Sequence, residues 1–142
     1  MSSTELVAAL DAVRQALTDA ETALEGQFQA LRTAKAEPLM ELTALCAEKL
    51  DAVGLAERFA LETFALLSGG SPRVDALPSD LRPRVVAALS DLRARTAIIQ
   101  RKQKRNERAA ELLTQTVQGM TRSLGGEPER RGFGVARYGG SR

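Results

Sequence analysis

Histidine and tryptophan are both absent from this sequence, and cysteine occurs once, at Cys46. Without histidine, neither a Ser-His-Asp nor a Cys-His catalytic arrangement can be built, and the usual zinc ligand sets are incomplete. Cys46 has no partner for an intramolecular disulfide, which favours a reducing compartment, and we predict that it is a small buried apolar residue. These absences predict a protein that is not an enzyme and that uses no metal and no cofactor.

Aromatic residues and long apolar runs are also scarce. Aromatic side chains make up 4% of the 142 residues, whereas Ala and Leu are abundant, a composition typical of helical bundles and unlike that of β-sandwiches. No apolar run approaches the roughly 18 residues that can cross a membrane, and residues 1–5 lack the basic and apolar regions of a signal peptide. We therefore predict a cytoplasmic protein that does not insert into membranes.

A heptad seam between residues 79 and 124 is the longest regular pattern in the chain. Its positions step by four and three without interruption, and they are Val85, Leu89, Leu92, Thr96, Ile99, Gln103, Asn106, Ala110, Leu113, Val117, Met120 and Leu124. This pattern predicts one long helix, capped by Ser79 or Asp80. At 1.5 Å per residue such a helix is about 70 Å long, so part of it should project beyond a compact core.

Two shorter helices are predicted before the long one, over about residues 3–35 and 38–67. Ser2 and Glu5 have the spacing of a capping box, the first helix should continue through Gly26, and Pro38 suits the start of the second helix. The predicted fold class is all-α: an antiparallel helical hairpin plus a long third helix, forming a three-helix bundle or coiled coil in one domain over residues 1–124. The glycine-rich residues 125–142 are predicted to be a disordered tail.

Charge is distributed unevenly along the chain. Residues 1–66 carry eleven acidic and five basic residues, a net charge of −6, and the remainder carries seven acidic and fifteen basic residues, a net charge of +8. Opposite charges favour packing of the long helix against the acidic half. The basic run of residues 101–108 competes as a nucleic-acid contact, but we interpret it as a solvated or intramolecularly paired face and predict no nucleic-acid partner.

Polar residues interrupt the apolar seam of the long helix at Thr96, Gln103 and Asn106. Such residues either set helix register, the role that we favour for Thr96, or mark the point where the helix leaves its own core, the role that we favour for Gln103 and Asn106. Beyond them lies an apolar stripe, hereafter the terminal stripe, made of Leu112, Leu113, Val117, Met120 and Leu124. If the shorter helices do not cover the terminal stripe, it is a surface suited to helix binding; the alternative is burial within the chain or in a homodimer.

Three stretches together resemble a known family. The leucine-spaced run over 39–50 leads into Glu48-Lys49, and Gln103-Lys-Arg-Asn106 precedes the pair Leu112-Leu113. The tail contains Tyr138-Gly139. This order of motifs resembles the FlgN family of flagellar export chaperones, with Gln103 in place of the family's first Asn and Glu107 where Gly is usual.

The resemblance implies a type III export chaperone of flagellum assembly. Such a protein binds the C-terminal helical segments of hook-filament junction proteins, prevents their premature association and delivers them to the flagellar export gate. On this chain the cargo-binding residues would be Asn106 and the terminal stripe, and Tyr138 would dock to the gate. The free protein would be a monomer or a weak dimer.

A second function stays open on the sequence alone. A structural or adaptor protein that self-associates through the whole heptad seam would show the same periodicity.

Overall fold

The computed structural model of the protein describes residues 3–124, and these form three helices. Helix α1 spans Ser3–Thr33, α2 spans Ala36–Leu67 and α3 spans Arg82–Ser123, with a short 3₁₀ turn at Val74–Ala76. No strand occurs in residues 3–124. The all-α fold with a helical hairpin and a long third helix is therefore confirmed, while the predicted disordered tail and Ser2 of the predicted capping box lie outside the described residues.

Helix α1 supplies the largest share of the core because one side of it is apolar at helical spacing. Its buried residues are Leu6, Ala9, Leu10, Val13, Leu17, Ala20, Ala23, Leu24, Ala30 and Leu31. The helix runs through Gly26 without a break, as predicted. A Cβ at Gly26 would lie 3.2 Å from Cδ2 of Leu42, so the glycine permits a close approach of α2 to α1.

The contacts of Gln27 show how the three helices run relative to one another. Its side chain contacts Thr43 of α2 and Asn106 of α3, so these three residues lie at the same height. Nearer the start of α1, Thr18 contacts Arg95, which precedes Asn106 in α3. Helix α3 therefore runs parallel to α1, whereas α2, joined to α1 by a tight turn, runs antiparallel to it.

The starts of α2 and α3 differ slightly from the sequence-based expectation. Helix α2 begins at Ala36, and Pro38 lies within its first turn, where a missing N–H costs nothing. The cap of α3 is Leu81, so the prediction of Ser79 or Asp80 was wrong. Leu77 and Leu81 are buried, and the N–H groups of Leu81 and Arg82 donate to the Pro78 carbonyl. Burial of these leucines, not a side-chain cap, sets the start of the helix.

Within residues 3–124, no helix combines the length and apolar character that crossing a membrane requires.

Candidate partner-binding end of the long helix

Helix α3 extends beyond the ends of α1 and α2. Asn106 lies level with Gln27, and α1 ends only six residues further on, at Thr33. Helix α2 begins at Ala36, at nearly the same height. From about residue 113 onward, α3 therefore continues beyond both helices for about 16 Å at 1.5 Å per residue. The predicted projection of the long helix is present in the structure.

The terminal stripe lies on this projecting end, and within the described chain it is not part of the hydrophobic core cluster. Leu112, Met120 and Leu124 are 58%, 61% and 86% exposed, respectively. Leu113 and Val117 are half-buried. An apolar surface of this kind gains about 25 cal/mol per Å² when a partner removes it from water.

The surroundings of the terminal stripe are nearly free of charge. Between residues 109 and 124 only Glu111 and Arg122 are ionised. A shallow groove runs beside Met120, and it is lined by Thr116, Gly119, Met120, Ser123 and Leu124. Because small side chains leave this face open, a partner helix can approach the backbone of α3 closely.

The environment of Asn106 differs from that of the terminal stripe. It is only 4% exposed, and its Nδ2 donates to the Leu24 carbonyl at 2.9 Å and to Oε1 of Gln27 at 2.8 Å. Gln27 in turn donates to Oγ1 of Thr43 at 3.1 Å. The Asn106 amide thus joins α3 to α1 and, through Gln27, to α2. This is a register-setting arrangement, the role that we favoured for Thr96 and not for Asn106.

Two basic residues beside Asn106 pair with acidic residues of α1. Lys102 Nζ lies 2.9 Å from Oε2 of Glu21 and 2.6 Å from Oε2 of Glu25, and Arg105 Nη1 lies 3.1 Å from the same Glu25 oxygen. The hydrogen bond from Lys102 lowers the pKa of Glu25, and the bond to Glu25 raises the pKa of Lys102. The predicted attraction between the basic helix and the acidic half of the chain is confirmed at these contacts.

Arg105 completes this cluster. Its Nε donates to Oδ1 of Asn106 at 3.1 Å, and its guanidinium carbon lies 3.8 Å from the centroid of the Phe28 ring. This distance is that of a stacked cation–π contact. We call the whole cluster the polar bridge; its members are Glu21, Glu25, Gln27, Phe28, Thr43, Lys102, Arg105 and Asn106.

The other two polar seam residues are half-buried. Thr96 and Gln103 lie on the same side of α3 as Ile99 and Asn106, which are buried against α1. The polar bridge therefore closes the packed part of α3 immediately before the helix begins to project.

The rest of the basic run points to solvent. Arg101, Lys104 and Arg108 are exposed and, within residues 3–124, form no ion pair. Lys102 and Arg105, by contrast, are held by carboxylates. The run thus divides into a paired inner side and a solvated outer side, which are the two roles we predicted for it.

Chemistry at Cys46 is disfavoured by its position. The side chain is buried in the core, and burial raises the pKa of the Cys46 thiol, which keeps it protonated. Among residues 3–124, no group of three or more Cys, Asp and Glu is placed to hold a metal ion.

Tyr138, the predicted export-gate residue, lies outside the described residues. Comparisons of the chain with models of protein families, with curated proteins and with solved structures found no match.

Proposed function

We propose that this protein is a flagellar type III export chaperone that binds the C-terminal helical segments of hook-filament junction proteins. The projecting end of α3, with its exposed terminal stripe, is the observation that carries the proposal. A cargo helix would take the place that α1 and α2 vacate beyond Thr33, and it would cover Val117, Met120 and Leu124. Cargo segments held in this way cannot associate prematurely. The proposed function requires binding only and no catalytic step.

The low charge around the terminal stripe supports a cargo helix that is recognised by shape and apolar anchors. The projecting end of α3 offers about three helical turns, so a partner helix removes only a limited apolar area from water. Binding also costs conformational entropy, because flexible helix ends become ordered. Affinity should therefore be moderate, which suits a chaperone that later releases its cargo.

Asn106 has a different place in this proposal from the one that the family resemblance implies. Because its amide is buried and bonded to α1, it would act on cargo indirectly, by fixing the height at which α3 leaves the hairpin. The apolar residues of the terminal stripe would make the contact. Delivery to the export gate is assigned to Tyr138 on the motif Tyr138-Gly139, and the proposed setting is the cytoplasm.

A binding titration tests the cargo surface. We expect Leu113→Asp with Val117→Asp to abolish binding of the C-terminal segment of a hook-filament junction protein, because two charges would have to be buried in an apolar contact. Isothermal titration calorimetry measures the affinity, and circular dichroism measures the thermal midpoint. Gln115→Asp is the control, since it adds charge to the same helical turns at an exposed position on the side opposite Leu113 and Val117.

The outcomes separate binding from folding. Loss of binding with an unchanged thermal midpoint supports the proposal. A large fall in the midpoint would show that Leu113 and Val117 belong to the core, and unchanged binding would remove the terminal stripe from the cargo site.

Self-association is the second candidate function, because the terminal stripe continues the heptad phase of the packed seam. A second copy could cover Val117 and Leu124 as well as a cargo helix could. In that case the free protein would be a stable dimer whose helicity depends on its concentration.

A further inference from the structure

Helix α2 carries a second exposed apolar stripe that the proposed function does not use. Leu55, Phe59 and Leu66 are 60%, 55% and 63% exposed. Their spacing of four and seven residues places them on one side of α2, over about 16 Å of its length. We call these three residues the α2 patch. Large apolar side chains exposed together on one side of a helix are a candidate interaction surface.

The charges of α2 are left uncompensated by the fold. The helix carries six acidic residues, all exposed, and only two basic ones, Lys49 and Arg58. The acidic residues are Glu37, Glu41, Glu48, Asp51, Glu57 and Glu62. Among residues 3–124, the ion pairs lie within α1, within α3 or between these two helices, and none of them includes a residue of α2.

Two of the acidic residues lie beside the α2 patch. Glu62 lies three residues after Phe59 and four before Leu66, and Asp51 lies four residues before Leu55. Both are therefore neighbours of the patch on the helix surface, as is one basic residue, Arg58, three residues after Leu55. The surface combines apolar anchors with negative charge at the same helical spacing.

The patch is not within reach of the aromatic residue that first follows α3. Thr43 and Asn106 lie level, so Leu124 and Phe59 are displaced from that level in opposite directions, about 50 Å apart along the bundle at 1.5 Å per residue. Phe133, nine residues after Leu124, reaches at most about 32 Å, and Tyr138, fourteen residues after Leu124, spans about 50 Å only if every intervening residue is fully extended. A twofold pairing of α2 with α2 of a second copy would bring acidic surfaces together, which is unfavourable.

We propose that the α2 patch is a docking site for a basic amphipathic helix of another protein. Leucine-type side chains of that helix would cover Leu55, Phe59 and Leu66, and its Lys or Arg side chains would face Asp51 and Glu62. This surface is separate from the terminal stripe, so a helix bound to α2 and a cargo helix bound to α3 can be held at once.

A pair of designed peptides tests the proposal on the full chain. One is a fluorescein-labelled helix of about 18 residues with leucines at i, i+4, i+7 and i+11 and lysines on both sides of that stripe. The other has glutamates in place of the lysines. Fluorescence anisotropy should show that the lysine peptide binds at least about tenfold more tightly than the glutamate peptide, and that added salt weakens its binding.

Variants then locate the bound peptide. Leu55→Ser with Phe59→Ser should weaken lysine-peptide binding at least about tenfold, since central apolar anchors dominate such contacts. Leu61→Ser is the matched control, because Leu61 is 56% exposed on a different side of α2, and it should leave binding unchanged. Asp51→Asn with Glu62→Gln should reduce the preference for lysine over glutamate.

Several results would overturn the proposal. They are equal affinity for both peptides, equal loss in Leu61→Ser, and loss of binding only when Val117→Asp with Met120→Asp alters the terminal stripe. A dimer of the free protein that Phe59→Ser dissociates would assign the α2 patch to a second copy instead. Because the cargo titration uses α3 variants, it can fail or succeed independently of this test.

Discussion

The two parts of α3 have the same heptad spacing and opposite environments. Up to Ala110, seam residues such as Val85, Ile99 and Asn106 lie against α1, whereas Met120 and Leu124 on the same seam are more than half exposed. The spacing of the seam residues is set by the periodicity of an α-helix, whereas burial of the seam depends on where α1 and α2 end. A heptad seam thus predicts a surface that needs a partner, and the lengths of the neighbouring helices decide whether the same chain supplies it.

A core substitution in α1, the helix against which the packed part of α3 lies, should have the largest effect on stability. Leu17→Ala removes a side chain that is 2% exposed, and we expect the free energy of unfolding to fall by about 3 kcal/mol. Met120→Ala, on the projecting part, should change it by less than about 0.5 kcal/mol. Urea unfolding followed by circular dichroism measures both. Similar losses at the two sites would mean that the end of α3 is packed in solution.

The polar bridge should come next in size. Asn106→Ala removes two donated hydrogen bonds and leaves Oε1 of Gln27 and Nε of Arg105 without that partner, so we expect a loss of about 2 kcal/mol. Gln115→Ala, an exposed amide on the projecting part, is the control. If both variants unfold like the parent protein, the amide at 106 does not hold α3 on α1.

The ion pairs of the bridge should contribute less, because their side chains are partly exposed. Glu25→Gln breaks the contacts to Lys102 and Arg105, and we expect a loss of up to about 1 kcal/mol that shrinks in high salt.

The same ion pairs give a pH dependence with a definite sign. The pKa of Glu25 is lowered in the folded protein, so its stabilisation is present above the unfolded-state pKa of about 4.3 and is lost as pH falls through the lower folded-state value. The difference in unfolding free energy between the parent protein and Glu25→Gln should therefore narrow below about pH 4. A difference that stays constant down to pH 2 or so would contradict this role for Glu25.

Glycine-to-alanine substitutions should give the smallest changes in the free energy of unfolding. A Cβ at Gly54 or Gly119 meets no other atom within 4 Å, so alanine is sterically free at both positions. Gly54→Ala should raise the free energy of global unfolding by about 0.5 kcal/mol through helix propensity. Gly119→Ala should raise it less, because an uncovered helix end opens locally before the core unfolds. An equal gain at both glycines would show that the end of α3 unfolds together with the bundle.

Much of this fold could be predicted from residue spacing and charge. The helices follow from apolar periodicity, and the attraction of α3 to the acidic half of the chain follows from the opposite net charges of the two halves. The individual partners of Lys102 and Arg105 depend on how the helices pack. The continuity of α1 through Gly26 was also predictable, but the close approach of Leu42 that makes the glycine useful was not, because it depends on how α2 packs.

Other features depend on tertiary contacts that spacing does not encode. The start of α3 at Arg82 depends on burial of Leu77 and Leu81 at the end of the bundle, which local capping preferences do not reveal. The choice between the two roles of Asn106 required knowing that Gln27 and the Leu24 carbonyl face it. The terminal stripe was visible in the sequence, but its exposure followed only once the ends of α1 and α2 were located.

We propose that the projecting end of α3 binds another protein. The most direct test is the mass of the full chain by light scattering, alone and mixed with a hook-filament junction protein, for the parent and for Val117→Asp with Met120→Asp. We expect a monomer that forms a one-to-one complex, and a variant that stays monomeric in the mixture with an unchanged thermal midpoint. A stable dimer that ignores the junction protein and is dissociated by the variant would contradict the claim and assign the terminal stripe to self-association.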